Sequence, residues 1–179
     1  MVEEAHPGFA DPYGAFWAIV AMETDLRGMR QMVEKHGHQM TPHLVDFIQR
    51  PWTAEDFTNA IMTRKAVVNK MWRFMRKYDL LLTPTLAVPP FPVHMQGPEK
   101  IDGSIVHPFR WLAFTFPLNF TGQPAASIPA GFSRDGLPIG LQIVGRHLDD
   151  PTVMKACAAF EAAKPWRDVW PPLLEKLGL

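Results

Sequence analysis

Only three stretches of this 179-residue chain read as β-strands, and three strands do not close into a self-contained sheet. The first is Leu80-Leu81-Leu82-Thr83, a short apolar run with the look of a buried strand, stopped by Pro84. The second is Ala125-Ala126-Ser127-Ile128. A turn at Ser133-Arg134-Asp135-Gly136 follows, with Asp-Gly expected to supply the positive-φ positions. The return strand is Ile139 to Val144, with Ile139, Leu141 and Ile143 on one face and Gly140 and Gln142 on the other. Val2-Glu3-Glu4 reads as the tail of a further strand that begins before Met1. The expectation is therefore a partial α/β domain, with a sheet that needs neighbours from elsewhere.

The first third reads as helical. Asp11-Pro12 opens a helix, Tyr13, Phe16, Trp17, Val20, Met29 and Val33 recur at helical spacing, and Gly37 is its stop. Thr41-Pro42 starts a short helix that ends before Pro51. Thr53-Ala54-Glu55-Asp56 starts a long one, with an acid three places after the cap. Phe57, Ile61, Val68, Met71, Met75 and Tyr78 make one continuous core stripe along it. Arg64, Lys65, Lys70, Arg73, Arg76 and Lys77 lie between them, and the ordinary role of such a face is to be solvated.

Proline accounts for 18 of the 179 residues, about twice the usual share, and ten of the 18 lie between Pro84 and Pro138. Pro84 to Pro108 is predicted to be an irregular surface excursion, and Phe109 to Phe116 a short helix ended by Pro117. Asp150-Pro151 caps a last helix through Ala163, followed by a packed tail from Trp166 to Pro172. Eighteen basic and eighteen acidic side chains cancel, which excludes a global field for nucleic acid or anionic membrane. One cysteine excludes an internal disulfide and suits a reducing compartment. No apolar run reaches the roughly twenty residues needed to span a bilayer, and no signal pattern opens the chain. The expected location is the cytoplasm.

Candidate chemistry is sparse. Asp102, Ser104 and His107 lie close in sequence, but a triad takes residues from separated elements that lock the imidazole, so these read as turn polar groups. His36, His38 and His43 surround Gly37 and Pro42 in a helix connection, where a tetrahedral metal site lacks rigid support; no metal is expected. Cys157, on the apolar face of the last helix, reads as an inert thiol. No glycine-rich phosphate loop is present. The only serines are Ser104, Ser127 and Ser133. None sits in a Gly-Gly-Ser or Ser-Ser run, so no catalytic residue is assigned.

Four ordered segments nevertheless carry a family resemblance. They are Asp79-Leu80-Leu81-Leu82-Thr83-Pro84-Thr85, the run from Phe116 to Ala125, Ser127-Ile128-Pro129-Ala130-Gly131, and Leu137 to Gly145. The series resembles the C-terminal part of the amidase signature family, most strongly from about Tyr78 to His147. The resemblance implies an α/β fold with a large, mostly parallel central sheet flanked by helices. Of that fold, this chain would supply the N-terminal helices plus a few strands of a mixed sheet. Residues 1–179 would form one partial domain: 1–78 mainly helical, 79–147 strands and proline-rich loops, 148–179 the last helix and tail.

The resemblance also implies hydrolysis of carboxylic amides through an acyl-enzyme, by a Ser-Ser-Lys mechanism without a cofactor. Those catalytic groups would lie in a missing N-terminal half, leaving this chain inactive alone. Trp111, Leu112, Thr115 and Phe116, just before Pro117, are the expected substrate-pocket residues, and their apolar bulk suits a hydrophobic amide. Amidotransferase A subunits carry an acid about where Leu112 stands. The expected partners are a small-molecule amide, bound only with the missing half, and further copies associating through an exposed sheet face. No nucleic-acid or membrane partner is expected. Two alternatives stand beside this reading: a non-catalytic binding or assembly module that retains the fold remnant, and part of a tRNA-dependent amidotransferase A subunit.

Overall fold

The long helix α4 (Ala54–Met75) organises the structure, and its start is written in the sequence. In the computed structural model, which describes residues 1–172 and Leu174, Thr53 and Asp56 form a full capping box. The Asp56 N–H donates to Thr53 Oγ1 at 3.1 Å, and the Thr53 N–H donates to Asp56 Oδ2 at 2.9 Å. Before α4 come α1 (Tyr13–Met22), α2 (Leu26–His36) and α3 (Pro42–Gln49). The single helix expected over Tyr13 to Val33 is broken between α1 and α2. Asp25 caps α2 by accepting from the Gly28 N–H at 3.0 Å, and that local bond outweighs continued periodicity.

After α4 come the strand β1 (Leu81–Pro84), a two-residue hairpin β2 (Lys100–Ile101) and β3 (Ser104–Ile105), and the helix α5 (Phe116–Thr121). Then β4 (Ala125–Phe132), β5 (Pro138–Val144) and α6 (Asp150–Ala163) complete the described elements. The main sheet has the order β1-β5-β4, and both pairings are antiparallel, with Leu81 and Ala125 each opposite Val144. The chain is thus α/β with helices flanking a small sheet. No strand is formed at Val2–Glu4, where the chain is exposed coil.

One face of the sheet packs on α6 through Ile128, Ile143 and Val153, with Leu141, Cys157, Phe160 and Trp166 around them. On the other face Leu81 and Val144 meet Met71 and Met75 of α4 and Leu118 of α5. A third cluster joins α1, α4 and α5 through Ala18, Ile19, Ala60, Val67 and Phe120.

Several local expectations are corrected. The strand at Leu80–Thr83 is not buried: β1 is an edge with alternating exposure, and its Leu82 is largely exposed. Pro117 begins α5 rather than ending a helix, because its missing N–H is harmless in a first turn. The stretch before it makes only a 3₁₀ turn, Arg110–Leu112. The excursion from Pro84 to Pro108 contains the β2–β3 hairpin, turned by Asp102 and Gly103 at φ 49° and 74°. In the 133–136 turn only Gly136 has positive φ. Asp149, not Asp150, caps α6.

The core stripe of α4 is also different. The buried positions are Ala60, Val67, Met71 and Met75, while Ile61 and Val68 face outward. Ala60 is buried in one cluster with Ala18 and Ile19 of α1, a small side chain suited to a close approach of the two helices.

Replacing Thr53 with Ala removes the capping box and is expected to lower stability by about 1 kcal/mol, a fall in Tm of roughly 2–4 °C. An unchanged Tm in a thermal melt would show that packing alone sets the start of α4.

Candidate functional site

The segment expected to line a pocket is held as a wall by contacts on two sides. Trp111 Nε1 donates to the Gln96 carbonyl at 3.0 Å, and the Trp111 carbonyl accepts from the Ala87 N–H at 3.0 Å. The Trp111 ring meets Phe91 edge-on at 5.4 Å. Gly97 lies so close that an added Cβ would sit 1.9 Å from the Pro108 carbonyl oxygen. Leu112 is half-buried, and its carbonyl accepts from Thr115 Oγ1 at 3.0 Å. Phe116 turns the opposite way into the core, 5.3 Å from Phe16 and 5.7 Å from Tyr13. Trp111 thus faces the proline-rich loop while Phe116 faces α1, with Leu112 and Thr115 between them.

A polar cluster fastens the front of this segment to α1. Asp11 and Arg110 form an ion pair, and the Arg110 guanidinium lies 4.8 Å above the Tyr13 ring. Tyr13 Oη lies 2.5 Å from His107 Nδ1, which also accepts from the Phe109 N–H at 3.3 Å. The backbone donor fixes Nδ1 as an acceptor, so Tyr13 donates and the imidazole proton sits on Nε2. Phe109 packs between Trp17 at 5.4 Å and a perpendicular His43 at 5.1 Å. Trp17 Nε1 and His43 Nε2 are buried here without hydrogen-bond partners.

The hydrogen bond from Arg110 holds the Asp11 carboxyl below the usual carboxylate range. That same bond raises the Arg110 pKa. Burial pushes the Tyr13 phenol up. Burial also pushes His107 down, with the charges of His43 and Arg110 adding to the effect. Sequence reasoning missed this cluster: Tyr13 and His107 are 94 residues apart, and nothing in their spacing joins them.

Two of the three serines are occupied elsewhere. Ser104 is exposed on β3, beside the Asp102 turn, and His107, three residues further on, is engaged with Tyr13. Ser127 Oγ lies 2.6 Å from Thr85 Oγ1. The two hydroxyls cross over Gly140, where a Cβ would stand 2.7 Å from Thr85 Oγ1 and 2.9 Å from Ser127 Oγ. Ser133 Oγ accepts from the Leu137 N–H at 3.1 Å and closes the β4–β5 turn. Behind the wall, Gln142 Nε2 donates to Thr83 Oγ1 and to the Phe114 carbonyl, both at 2.9 Å. The arrangement fixes these groups on one another and, among the described residues, sets no serine in a hydrogen bond with a base.

His38 pairs with Gln39, His43 packs on Phe109, and among the described residues no three His, Cys, Asp or Glu side chains are grouped to hold a metal ion. Cys157 is half-buried in the α6–sheet cluster. The basic face of α4 is partly structural: Arg64 Nε donates to the Phe120 carbonyl at 3.0 Å, and Lys70 Nζ to the Gly8 carbonyl at 2.5 Å. Among the described residues no helix is long and apolar enough to cross a membrane.

Two open grooves flank these elements. One of about 580 Å³ runs beside the Thr85–Ser127 pair, between the proline-rich loop and the end of the sheet. The other, of about 740 Å³, lies between α1 and α4.

Comparison with known proteins places this architecture. Residues 24–154 match the family model described as Amidase. An acylamidase of Rhodococcus erythropolis is 34% identical over 183 residues, an alignment covering 96% of this chain and 37% of the relative. The A subunit of a glutamyl-tRNA(Gln) amidotransferase from Thermodesulfovibrio yellowstonii is 34% identical over 117 residues, covering 65% of this chain and 23% of that one. The crystal structure of a bacterial aryl acylamidase of the amidase signature family superposes with a TM-score of 0.83 at 30% identity, over 92% of this chain and 37% of the other. The chain therefore belongs to the amidase signature family. It spans little more than a third of the length of the acylamidase it matches.

The depressed His107 pKa carries a pH dependence. A neutral imidazole is favoured by folding, so its contribution is complete above the unfolded value near 6.5 and is lost as pH falls through that value towards the folded one. An NMR titration of His107 is expected to show a midpoint below 6.5. His107→Gln should flatten the fall in Tm between about pH 7.5 and 5.5. A midpoint at or above 6.5 would contradict the burial.

Proposed function

We propose that this chain is the C-terminal part of an amidase that hydrolyses hydrophobic carboxylic amides through a serine acyl-enzyme. Its nucleophile, helper serine and lysine lie outside the chain, which is inactive alone. The observation that carries the reading is the coincidence of an extensive family match with the setting of the three serines: Ser127 and Ser133 are engaged with groups other than a base, and Ser104 is exposed on a short hairpin. In this reading Trp111, Leu112 and Thr115 wall the substrate pocket, and Phe116 backs it from the core.

The hydrolytic reading is favoured over the amidotransferase one by coverage and by shape. The acylamidase alignment takes in 96% of the chain, against 65% for the T. yellowstonii amidotransferase. The aryl acylamidase structure superposes at 0.83, against 0.51 for the A subunit of the Thermotoga maritima amidotransferase. An apolar Leu112 and the zero net charge agree with this preference.

The purified chain is expected to give no turnover of 4-nitroacetanilide, an aryl acylamide. Turnover should appear on co-expression with the part of the R. erythropolis acylamidase that this chain does not match. Turnover by the chain alone that Ser104→Ala abolishes would overturn the proposal.

The bare edges of β1 and β4, with Leu82 and Ile139 exposed nearby, further lead us to propose that the isolated chain self-associates through the sheet. Light scattering should then report species larger than the 20.3 kDa monomer, and a clean monomer would reject this.

A further inference from the structure

We propose that the groove between α1 and α4 is the docking surface for an amphipathic helix of the remaining amidase fold, with a carboxylate of that helix set against Lys65. The inference rests on the reading of this chain as part of a larger amidase. Its starting point is that α4 carries two apolar rows. The inner row is buried, but Ile61, Val68 and Trp72 remain 37%, 38% and 56% exposed, and Met22 at the end of α1 is 41% exposed.

With Lys65, the outer row has the spacing 61, 65, 68, 72, which is one helix face. It follows α4 for about 16 Å, or three turns of an apposed helix. Ile19, Thr121 and Gln123 line the same groove, and His147, held 3.0 Å from the Gly122 carbonyl, completes its wall. Gln123 Oε1 is buried without a donor, an unsatisfied acceptor beside the groove.

Three features select the occupant. The chain covers only 37% of the aryl acylamidase structure at a TM-score of 0.83, so the rest of such a fold has to meet this part across faces left bare here. A three-turn apolar row between two packed helices suits a helix rather than a strand, which would seek the open sheet edges. Among the described residues, the ionisable groups lining the groove are Arg64, Lys65 and His147, with no acid beside them. A second copy seated face to face would bring basic side chains together in an apolar seam, and charges in such a seam need opposite partners. An incoming carboxylate supplies one for Lys65.

The test is co-expression of the full chain with a tagged polypeptide comprising the part of the R. erythropolis acylamidase that it does not match, scored by co-purification. The wild-type chain is expected in a one-to-one complex. The double variant Val68→Glu, Trp72→Glu should lose at least tenfold in recovery, Lys65→Glu several-fold, and Lys65→Arg little. The substituted positions are exposed, so circular dichroism and Tm of the isolated chain should stay near wild type; Lys65→Glu serves as an independent second probe.

Equal recovery of the double variant overturns the docking, as does the absence of any wild-type complex. A homodimer of the chain that the double variant disperses, with complex recovery unaffected, would identify a second copy as the occupant and also overturn it. A complex that forms through the groove but hydrolyses no 4-nitroacetanilide would instead overturn the functional reading and leave the docking standing.

Discussion

The contact of Met71 and Met75 with Leu118 and Val144 joins the helical and sheet parts of this molecule, and the other elements take their places from it. Val144 has no exposed surface and lies on the central strand, opposite both Leu81 and Ala125. Burying four such side chains contributes about 1.5–3 kcal/mol each. Arg146 then locks the junction: its Nε donates to the Met75 carbonyl at 2.9 Å, and its NH2 group bonds Asp79 at 2.8 Å. The last turn of α4 is thereby tied to the chain just beyond β5. Because α4 is anchored at this end by the sheet and along its length by α1, one of its faces is fully committed and the opposite one is free.

Much of this was legible in the sequence where a local rule decides the outcome. The capping box at Thr53, the start of α3 at Pro42 and the β4–β5 hairpin are all set by neighbours within a few residues; the first two form as read, and the hairpin forms with a longer first strand and a single positive-φ residue in its turn. The family motifs coincide with the strands. What could not be read depends on tertiary approach. The face of α4 that turns inward is chosen by the small residue Ala60 against α1, not by the larger Ile61 beside it. Pro117 has two compatible roles, ending one helix or opening another, and only the packing of Phe116 and Leu118 decides between them. The Tyr13–His107 bond links the first helix to a loop far along the chain, a distance at which neither periodicity nor motif carries information.

The distribution of polar contacts separates positioning from reaction. Gln142, Thr83, Thr85 and Ser127 bond to one another or to the backbone, across strands that are themselves held from both faces. Such groups are satisfied in the resting state, which fits a rigid frame better than a nucleophile waiting for a base. Asp11, Tyr13, His107 and Arg110 carry shifted ionisations, yet they are arranged as a latch: Arg110 pairs with Asp11, and Tyr13 with His107. Perturbed pKa values mark functional sites only in probability, and here the geometry assigns them to holding the segment in place.

That holding matters because the segment from Thr85 to Thr115 has little regular structure of its own, only the β2–β3 hairpin and one 3₁₀ turn. A loop of this length is rarely kept in a compact fold without a use. Its prolines reduce the freedom of the unfolded chain, and its backbone is tied at Ala87 and Gln96 to the single residue Trp111. The far end is then fixed to α1 by His107 and Arg110. A surface so immobilised, yet lacking any reagent of its own, has the properties of a pocket wall. The proposal that wall and reagents belong to different parts of the fold follows the same logic: the chain matches one part of an acylamidase, and among its described residues Ser127 and Ser133 are bonded to groups other than a base.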